Sequence, residues 1–375
     1  MILQLYLLRQ LGVSIAFALA GLGILVVPPI TVQAVQKLGG AGIAAVVDYI
    51  PLVLIELVPY LAPIAFLLGV VATFGRLAAD NEWTAMASAG VHPVRTLAPG
   101  LLIAVLGMFG THHLLATVSP DWKYAQRVYV RNAKVDAFRG LGKGRTQFEI
   151  GDFFVDAART DGNGTFSEVV LGIPLESEDD RAGGEQAAED AKANMLVVVA
   201  DRIRIAFTGR DMEVFFENAR FLRDDLGVES EMPYFRRPLD ELVGAMKKAR
   251  DDPKFLTNAL MRRRLAGELE PGDQPLKERR REDYRFEIQR RLALSSTYIV
   301  FLLLGAATGL WLRRGSQLGA MATAIGFALI YYILSMQLGT KLAEVRLIPL
   351  AFAAWATNGL FLIAGLFMAR RYMWR

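Results

Sequence analysis

Cysteine is absent from this 375-residue chain, which removes disulfide scaffolds, thiolate zinc sites, iron–sulfur clusters and cysteine nucleophiles together. Histidine is almost absent: His92, His112 and His113 are the only three. The last two are adjacent, and neighbours on a helix point about 100° apart. They do not close on one ion, so packing or interfacial anchoring is the better account and no metal site is expected. The spacings of nucleotide and hydrolase sites are missing as well. There is no Gly-x-x-x-x-Gly-Lys-Ser/Thr run; Gly140-Leu141-Gly142-Lys143-Gly144 is the nearest and has the wrong spacing. Neither His-Glu-x-x-His nor Gly-x-Ser-x-Gly occurs. The chain therefore offers no catalytic residue, no cofactor of its own and no phosphate loop for ATP. Charge is scarce, at 21% of residues, and 42 Lys plus Arg against 38 Asp plus Glu leave a net +4. The basic residues are dispersed, which argues against a nucleic-acid partner. Hydrophobic residues make up 53% instead, a content that belongs to a membrane protein and excludes a soluble cytosolic enzyme.

The apolar residues gather in runs. Six of them, 11–30, 51–74, 97–118, 292–312, 318–338 and 347–368, reach the ~20 residues that a helix needs to cross a bilayer. The first follows Arg9 and precedes Val32-Gln33-Ala34, as a cleaved leader would. Its apolar core exceeds the roughly 7–15 residues of such leaders, so it is expected to be an uncleaved anchor. Pro28-Pro29 is expected to break the helix near its outer end. Short-loop charge sets the orientation. Arg9, Arg76, Arg95, Arg313, Arg314, Arg370, Arg371 and Arg375 fall on one side, against Lys37, Lys341 and Arg346 on the other. Both termini are thus expected in the cytoplasm and the long segment 119–291 outside.

That segment reads as β. Phe148-Glu149-Ile150 and Phe153-Phe154-Val155 are short, aromatic and bounded by glycines. In the run from Val197 to Phe207, alternation becomes strict at the end, with Ile203, Ile205 and Phe207 on one face and Arg202 and Arg204 on the other. Thr208-Gly209-Arg210-Asp211 predicts a hairpin, after which Met212, Val214 and Phe216 resume the pattern. Residues 176–193 are acidic and without period, a mobile loop. Residues 247–291 hold 14 basic and 9 acidic residues with apolar positions at irregular helical spacing. They predict a helical basic connector whose charges mostly solvate it. The expected division is transmembrane helices over 1–118, a β domain over 119–246, the connector over 247–291 and transmembrane helices over 292–375.

The loop after the second run carries the most specific signal. Asp80-Asn81-Glu82-Trp83-Thr84-Ala85-Met86-Ala87-Ser88-Ala89-Gly90 has acids in front, Gly90 at its end and Pro93 just beyond, the start and stop signals of a short helix at about 80–90. Trp83, Met86 and Ala87 form a narrow apolar stripe, and so short a helix must lie against something. It either folds back on the spans or, with Glu82, serves as a docking surface for a cytoplasmic partner. Glu56, between Pro51 and Pro59, is an ionisable residue inside an apolar run and so a functional candidate, or else an interfacial carboxylate. Gly305-x-x-x-Gly309 permits close helix approach, though in so glycine-rich a chain coincidence explains it nearly as well.

Taken together, these residues resemble the LptF/LptG (YjgP/YjgQ) permeases of lipopolysaccharide export, over nearly the whole chain. The resemblance rests on the order of three spans, a β domain and three spans. It rests also on Leu61-Ala62-Pro63-Ile64-Ala65-Phe66-Leu67-Leu68-Gly69, on Phe74-Gly75-Arg76-Leu77 with the helix from Glu82 to Gly90, and on Glu287-Ile288-Gln289-Arg290-Arg291-Leu292. It implies a six-span inner-membrane protein with an inserted periplasmic jelly-roll-like domain. Its implied partners are a second LptF/LptG-like permease, an LptB-like ABC ATPase dimer and an LptC/LptA-like jelly-roll bridge protein. Its cargo is lipopolysaccharide drawn from among membrane lipids. Asp80, Glu82, Trp83, Met86 and Gly90 then form the ATPase-coupling helix, with Glu82 as its contact. Lipid contacts fall to Gln33, Gln36, Lys37 and Glu56, and acyl chains to a groove faced by Ile203, Ile205, Phe207, Val214 and Phe216. Alternation in those five fits an ordinary sheet core equally well. One departure concerns the outer end of the first span, where the family often carries two or more basic residues. Gln33 and Gln36 stand there and only Lys37 keeps a charge, which weakens the pull on an anionic lipid. A non-transporting envelope scaffold or lipid-binding membrane protein is the competing expectation; a membrane-embedded hydrolase ranks below both, for want of a nucleophile–base pair.

Overall fold

The computed structural model describes residues 2–38, 42–139, 147–150, 153–161, 165–174, 195–208, 211–222, 234–238, 252–268, 276–312, 317–345 and 349–373. The chain forms two compact units. One comprises Met1–Pro28, Val53–Tyr124 and Asp251–Arg375, the other Pro29–Leu52 and Ala125–Arg250. Among the described residues, six helical stretches are long and apolar enough to cross a membrane: Ile2–Lys37, Ile43–Ala79, Pro93–Ala133, Glu278–Trp311, Gly319–Gln337 and Leu350–Tyr372. Three precede an antiparallel sheet and three follow it. This is a helical membrane protein with an inserted β domain.

Helices α1 (Ile2–Lys37) and α2 (Ile43–Ala79) are followed by α3 (Glu82–Ser88) and α4 (Pro93–His113). The expected break at Pro28-Pro29 does not occur: α1 runs through both prolines to Lys37. Proline removes a donor and crowds the preceding turn, but its fixed φ is itself helical. The division between the two compact units nevertheless falls between these prolines. A π-helical turn, Leu114–Val118, joins α4 to α5 (Ser119–Arg139). It sits just before Pro120, whose ring would strike the Ala116 carbonyl in a regular α-helix. With that turn widened, the helix continues, so residues 119–139 of the segment read as outer domain are helical. Within the sheet-containing unit, the Tyr49 and Tyr129 rings stack 6.2 Å apart, and the Tyr129 hydroxyl donates to the Ala45 carbonyl at 3.1 Å.

After the sheet, a 3-10 turn (Pro253–Phe255) and α6 (Asn258–Ala266) precede α7 (Glu278–Ser295), α8 (Thr297–Trp311), α9 (Gln317–Val345) and α10 (Leu350–Tyr372). Arg291 of α7, 4% exposed, fastens the connector. Its guanidinium donates to the carbonyls of Leu256 (2.8 Å) and Pro253 (2.9 Å), to Asn258 Oδ1 (2.9 Å) and to Glu287 Oε1 (3.1 Å). Between α7 and α8, the Ser295, Ser296 and Thr297 hydroxyls each donate to the carbonyl three residues back, at 2.8, 2.8 and 2.7 Å. Such back-bonding competes with the helix ladder and interrupts it. Asn358 of α10 supplies what the interruption frees. Its amide donates to the Ala293 carbonyl (2.7 Å) and to Ser296 Oγ (2.9 Å), and its Oδ1 accepts from the Tyr331 hydroxyl. Tyr331 also belongs to the helical core, together with Phe66, Phe74, Phe301 and Leu304.

The sheet consists of β1 (Gln147–Ile150), β2 (Phe153–Thr160), β3 (Thr165–Pro174), β4 (Met195–Thr208), β5 (Asp211–Leu222) and β6 (Tyr234–Pro238). All pairings are antiparallel and each strand lies beside its neighbour in the chain, so the described strands form a meander. Thr208 pairs with Asp211 across the expected hairpin. The acidic stretch 176–193 lies outside the described residues.

Alternation slips once in four strands, at the same level. In β4, Val198, Ala200, Ile203 and Ile205 are buried while Asp201 and Arg202 are both exposed. The register passes from Ala200↔Val169 to Arg202↔Ser167 on one side and from Ala200↔Ala219 to Arg202↔Glu217 on the other. Facing Asp201 in those gaps are Glu168 and Asn218, each with φ 53°. These left-handed residues shift the phase by one position, so that Ala200 and Ile203 face the same side. The result is a crease across β2 to β5, tied outside by Asn218 to Asp201 (3.1 Å) and Arg202 to Glu217 (3.4 Å).

Candidate functional site

Two left-handed backbone positions frame α3. Asn81 at its N-cap has φ 58° and Gly90 beyond its end φ 76°, conformations that asparagine tolerates and glycine adopts freely. The chain thus turns sharply out of α2, makes two helical turns and turns back into α4. There the His92 Nδ1 accepts from the Val94 amide at 3.3 Å, with Pro93 in the first turn.

Two of the three residues of the apolar stripe face the protein, while Ala87 is exposed. Trp83 and Met86 pack on the helical core, and the Trp83 ring lies 6.1 Å from Phe74. Asp80, Thr84, Ala85, Ala87, Ser88 and Gly90 are exposed, so the outward surface of the loop is small-featured and polar. Glu82 lies between the two surfaces. The Tyr6 hydroxyl of α1 donates to both its carboxylate oxygens, at 3.2 and 3.1 Å. Nearby, Gln4 Nε2 donates to the Arg95 carbonyl at 2.7 Å. Sequence reasoning found the helix and Glu82 and missed Tyr6 and Gln4. These partners lie 76 and 91 residues away, and no local pattern marks them.

Of the residues read as lipid contacts, Gln33, Gln36 and Lys37 are exposed on the last turns of α1. Their i, i+3, i+4 spacing puts them on one face. Glu56 pairs with Lys123, whose ammonium is 3.7 Å away. In the sheet, Ile203 lies opposite Phe216, Ile205 opposite Val214, and Phe207 opposite Met212. Ile203, Ile205, Val214 and Phe216 are buried, as both a packed core and a closed groove would have them.

The sequence model of the lipopolysaccharide export system permease LptF/LptG matches residues 5–371. The chain belongs to the LptF/LptG family. No individual curated protein matches it. As an LptF/LptG protein it is a permease subunit of a lipopolysaccharide export transporter, a multi-pass protein of the inner membrane. The match takes in both sets of spans and the sheet, and with them α3, the last turns of α1 and the Glu287–Arg291 pair.

Proposed function

We propose that this LptF/LptG permease pairs with a second permease of its kind, and that an ABC-type ATPase dimer docks on α3. ATP binding there closes a cavity between the two permeases. Lipopolysaccharide then rises from the outer leaflet of the inner membrane into the β domain and passes to a periplasmic jelly-roll bridge protein. In this reading both termini and α3 are cytoplasmic and the β domain is periplasmic, in keeping with the basic loops. The outer segment is divided into a domain that ends near residue 246 and a connector over 247–291. No cofactor belongs to this chain; ATP is the partner's.

The observation that carries this reading is the anchoring of α3. A seven-residue helix has no stability of its own, yet Trp83 and Met86 seat it on the core beside α2, so force applied to it reaches the spans. Asp80 and Glu82 meet basic side chains of the ATPase, and Gly90 supplies the turn back. Lys37, Gln33 and Gln36 take the lipid phosphates, the lysine as a point charge and the amides as donors. Glu56 contributes through Lys123, which it holds by their ion pair. Acyl chains enter between the strands at Ile203, Ile205, Phe207, Val214 and Phe216.

Charge reversal at the contact tests the coupling. Glu82→Arg is expected to insert and fold normally and to abolish lipopolysaccharide transport. A fully active variant would remove Glu82 from the coupling mechanism.

A further inference from the structure

We propose that Tyr6 is a positioning residue for the coupling contact, holding the Glu82 carboxylate toward a basic side chain of the ATPase and tying α3 to the first span. The proposal rests on the reading of Glu82 given above.

The geometry is specific. Tyr6 is 43% exposed, and its single hydroxyl proton is shared between the two carboxylate oxygens at 3.2 and 3.1 Å. An ionised carboxylate accepts about four hydrogen bonds, so most of its capacity stays open to a guanidinium or ammonium arriving from outside. A glutamate in the first turn of a two-turn helix otherwise samples several rotamers, and docking must then freeze it. The phenol does that beforehand.

The contact also joins two elements. The loop that carries α3 meets α1 twice, with Glu82 at its start on Tyr6 and the Arg95 carbonyl at its end on Gln4. Leu7 and Leu11 of the same turns are 1% exposed, in the helical core. A pull on α3 is thereby a pull on the first turns of α1, the helix whose last turns carry Gln33, Gln36 and Lys37.

The test is a double-mutant cycle on the intact permease pair in lipid nanodiscs, titrated with the ATPase dimer recovered from the same host. Tyr6→Phe keeps the ring and removes only the hydroxyl. It is expected to weaken ATPase binding about 3–10-fold, the range of one hydrogen bond, with an unchanged thermal midpoint. In a Glu82→Ala background the same substitution is expected to have no further effect, because its partner is gone. Weakened binding in Glu82→Ala with wild-type binding in Tyr6→Phe overturns the positioning role and leaves the coupling reading intact. An equal loss from Tyr6→Phe in both backgrounds also overturns it, since the residue then acts on the fold. Wild-type binding in Glu82→Ala overturns the coupling reading, and this proposal with it.

Discussion

Gly309 of α8 and Gly75 of α2 meet backbone to backbone. A side-chain carbon at position 309 would lie 2.8 Å from the Gly75 nitrogen and 2.8 Å from the Val71 carbonyl, closer than such atoms approach. The Gly305-x-x-x-Gly309 spacing therefore has a packing role, because Gly305 faces Val70 and Leu67 in the same interface. Gly309→Val is expected to destabilise the protein by about 1–3 kcal/mol, as overpacking does, read as a lower thermal midpoint in detergent. Gly326→Ala is the control. A side-chain carbon there would meet no other side chain or neighbouring helix within 4 Å, and no loss is expected.

Arg291 should be hard to replace. Arg291→Ala removes the donor to the Leu256 carbonyl and to Asn258 Oδ1 and leaves Glu287 its pairing with Arg290 at 3.0 Å; hydrogen bonds to a charged group are worth about 1.5–3 kcal/mol each. The connector is then expected to come loose, and limited proteolysis within 252–268 is the readout. Arg291→Lys should restore little, since one ammonium cannot reproduce the planar fork that spans these acceptors.

Asn358 closes a buried polar group between α7, α9 and α10. Asn358→Leu removes the donor to Ala293 and Ser296 and the acceptor for Tyr331 at once. Within a membrane such contacts are worth about 1–2 kcal/mol. Unfolding in a titration with a denaturing detergent is expected at a correspondingly lower midpoint, without loss of membrane insertion.

The sheet offers a direct test of lipid passage. With a photo-crosslinking residue at Ile203 on the buried face and another at Arg202 on the exposed face, lipopolysaccharide adducts are expected at the first position only. The absence of adducts from every inward position would make that face an ordinary core.

The spans and the inserted β unit were legible because both rest on local patterns, apolar runs of bilayer length and alternation in segments such as 203–207. The cross-strand pairs Ile203–Phe216 and Ile205–Val214 followed from the hairpin at Thr208 and Asp211. The crease was not legible. Asp201-Arg202 reads as two exposed residues in sequence, and the left-handed turns at Glu168 and Asn218 that make sense of them lie on other strands. The helix that continues to Arg139 was not legible, because the apolar run ends at Val118 and no local pattern marks the π turn that precedes Pro120. At the candidate site, capping chemistry and the Trp83–Met86 stripe located α3 and its anchored face. The partners of Glu82 and of Glu56 are contacts across the fold that no spacing encodes.

The most direct test of the account is purification of the tagged protein from its native host in mild detergent, with mass spectrometry of the co-eluting chains and an assay of lipopolysaccharide-dependent ATP hydrolysis. The account predicts an ABC ATPase together with a permease partner of the same architecture, and hydrolysis that responds to lipopolysaccharide. A protein that elutes alone, reproducibly and without ATPase activity, would contradict it and leave Glu82 as a carboxylate that serves only to hold Tyr6.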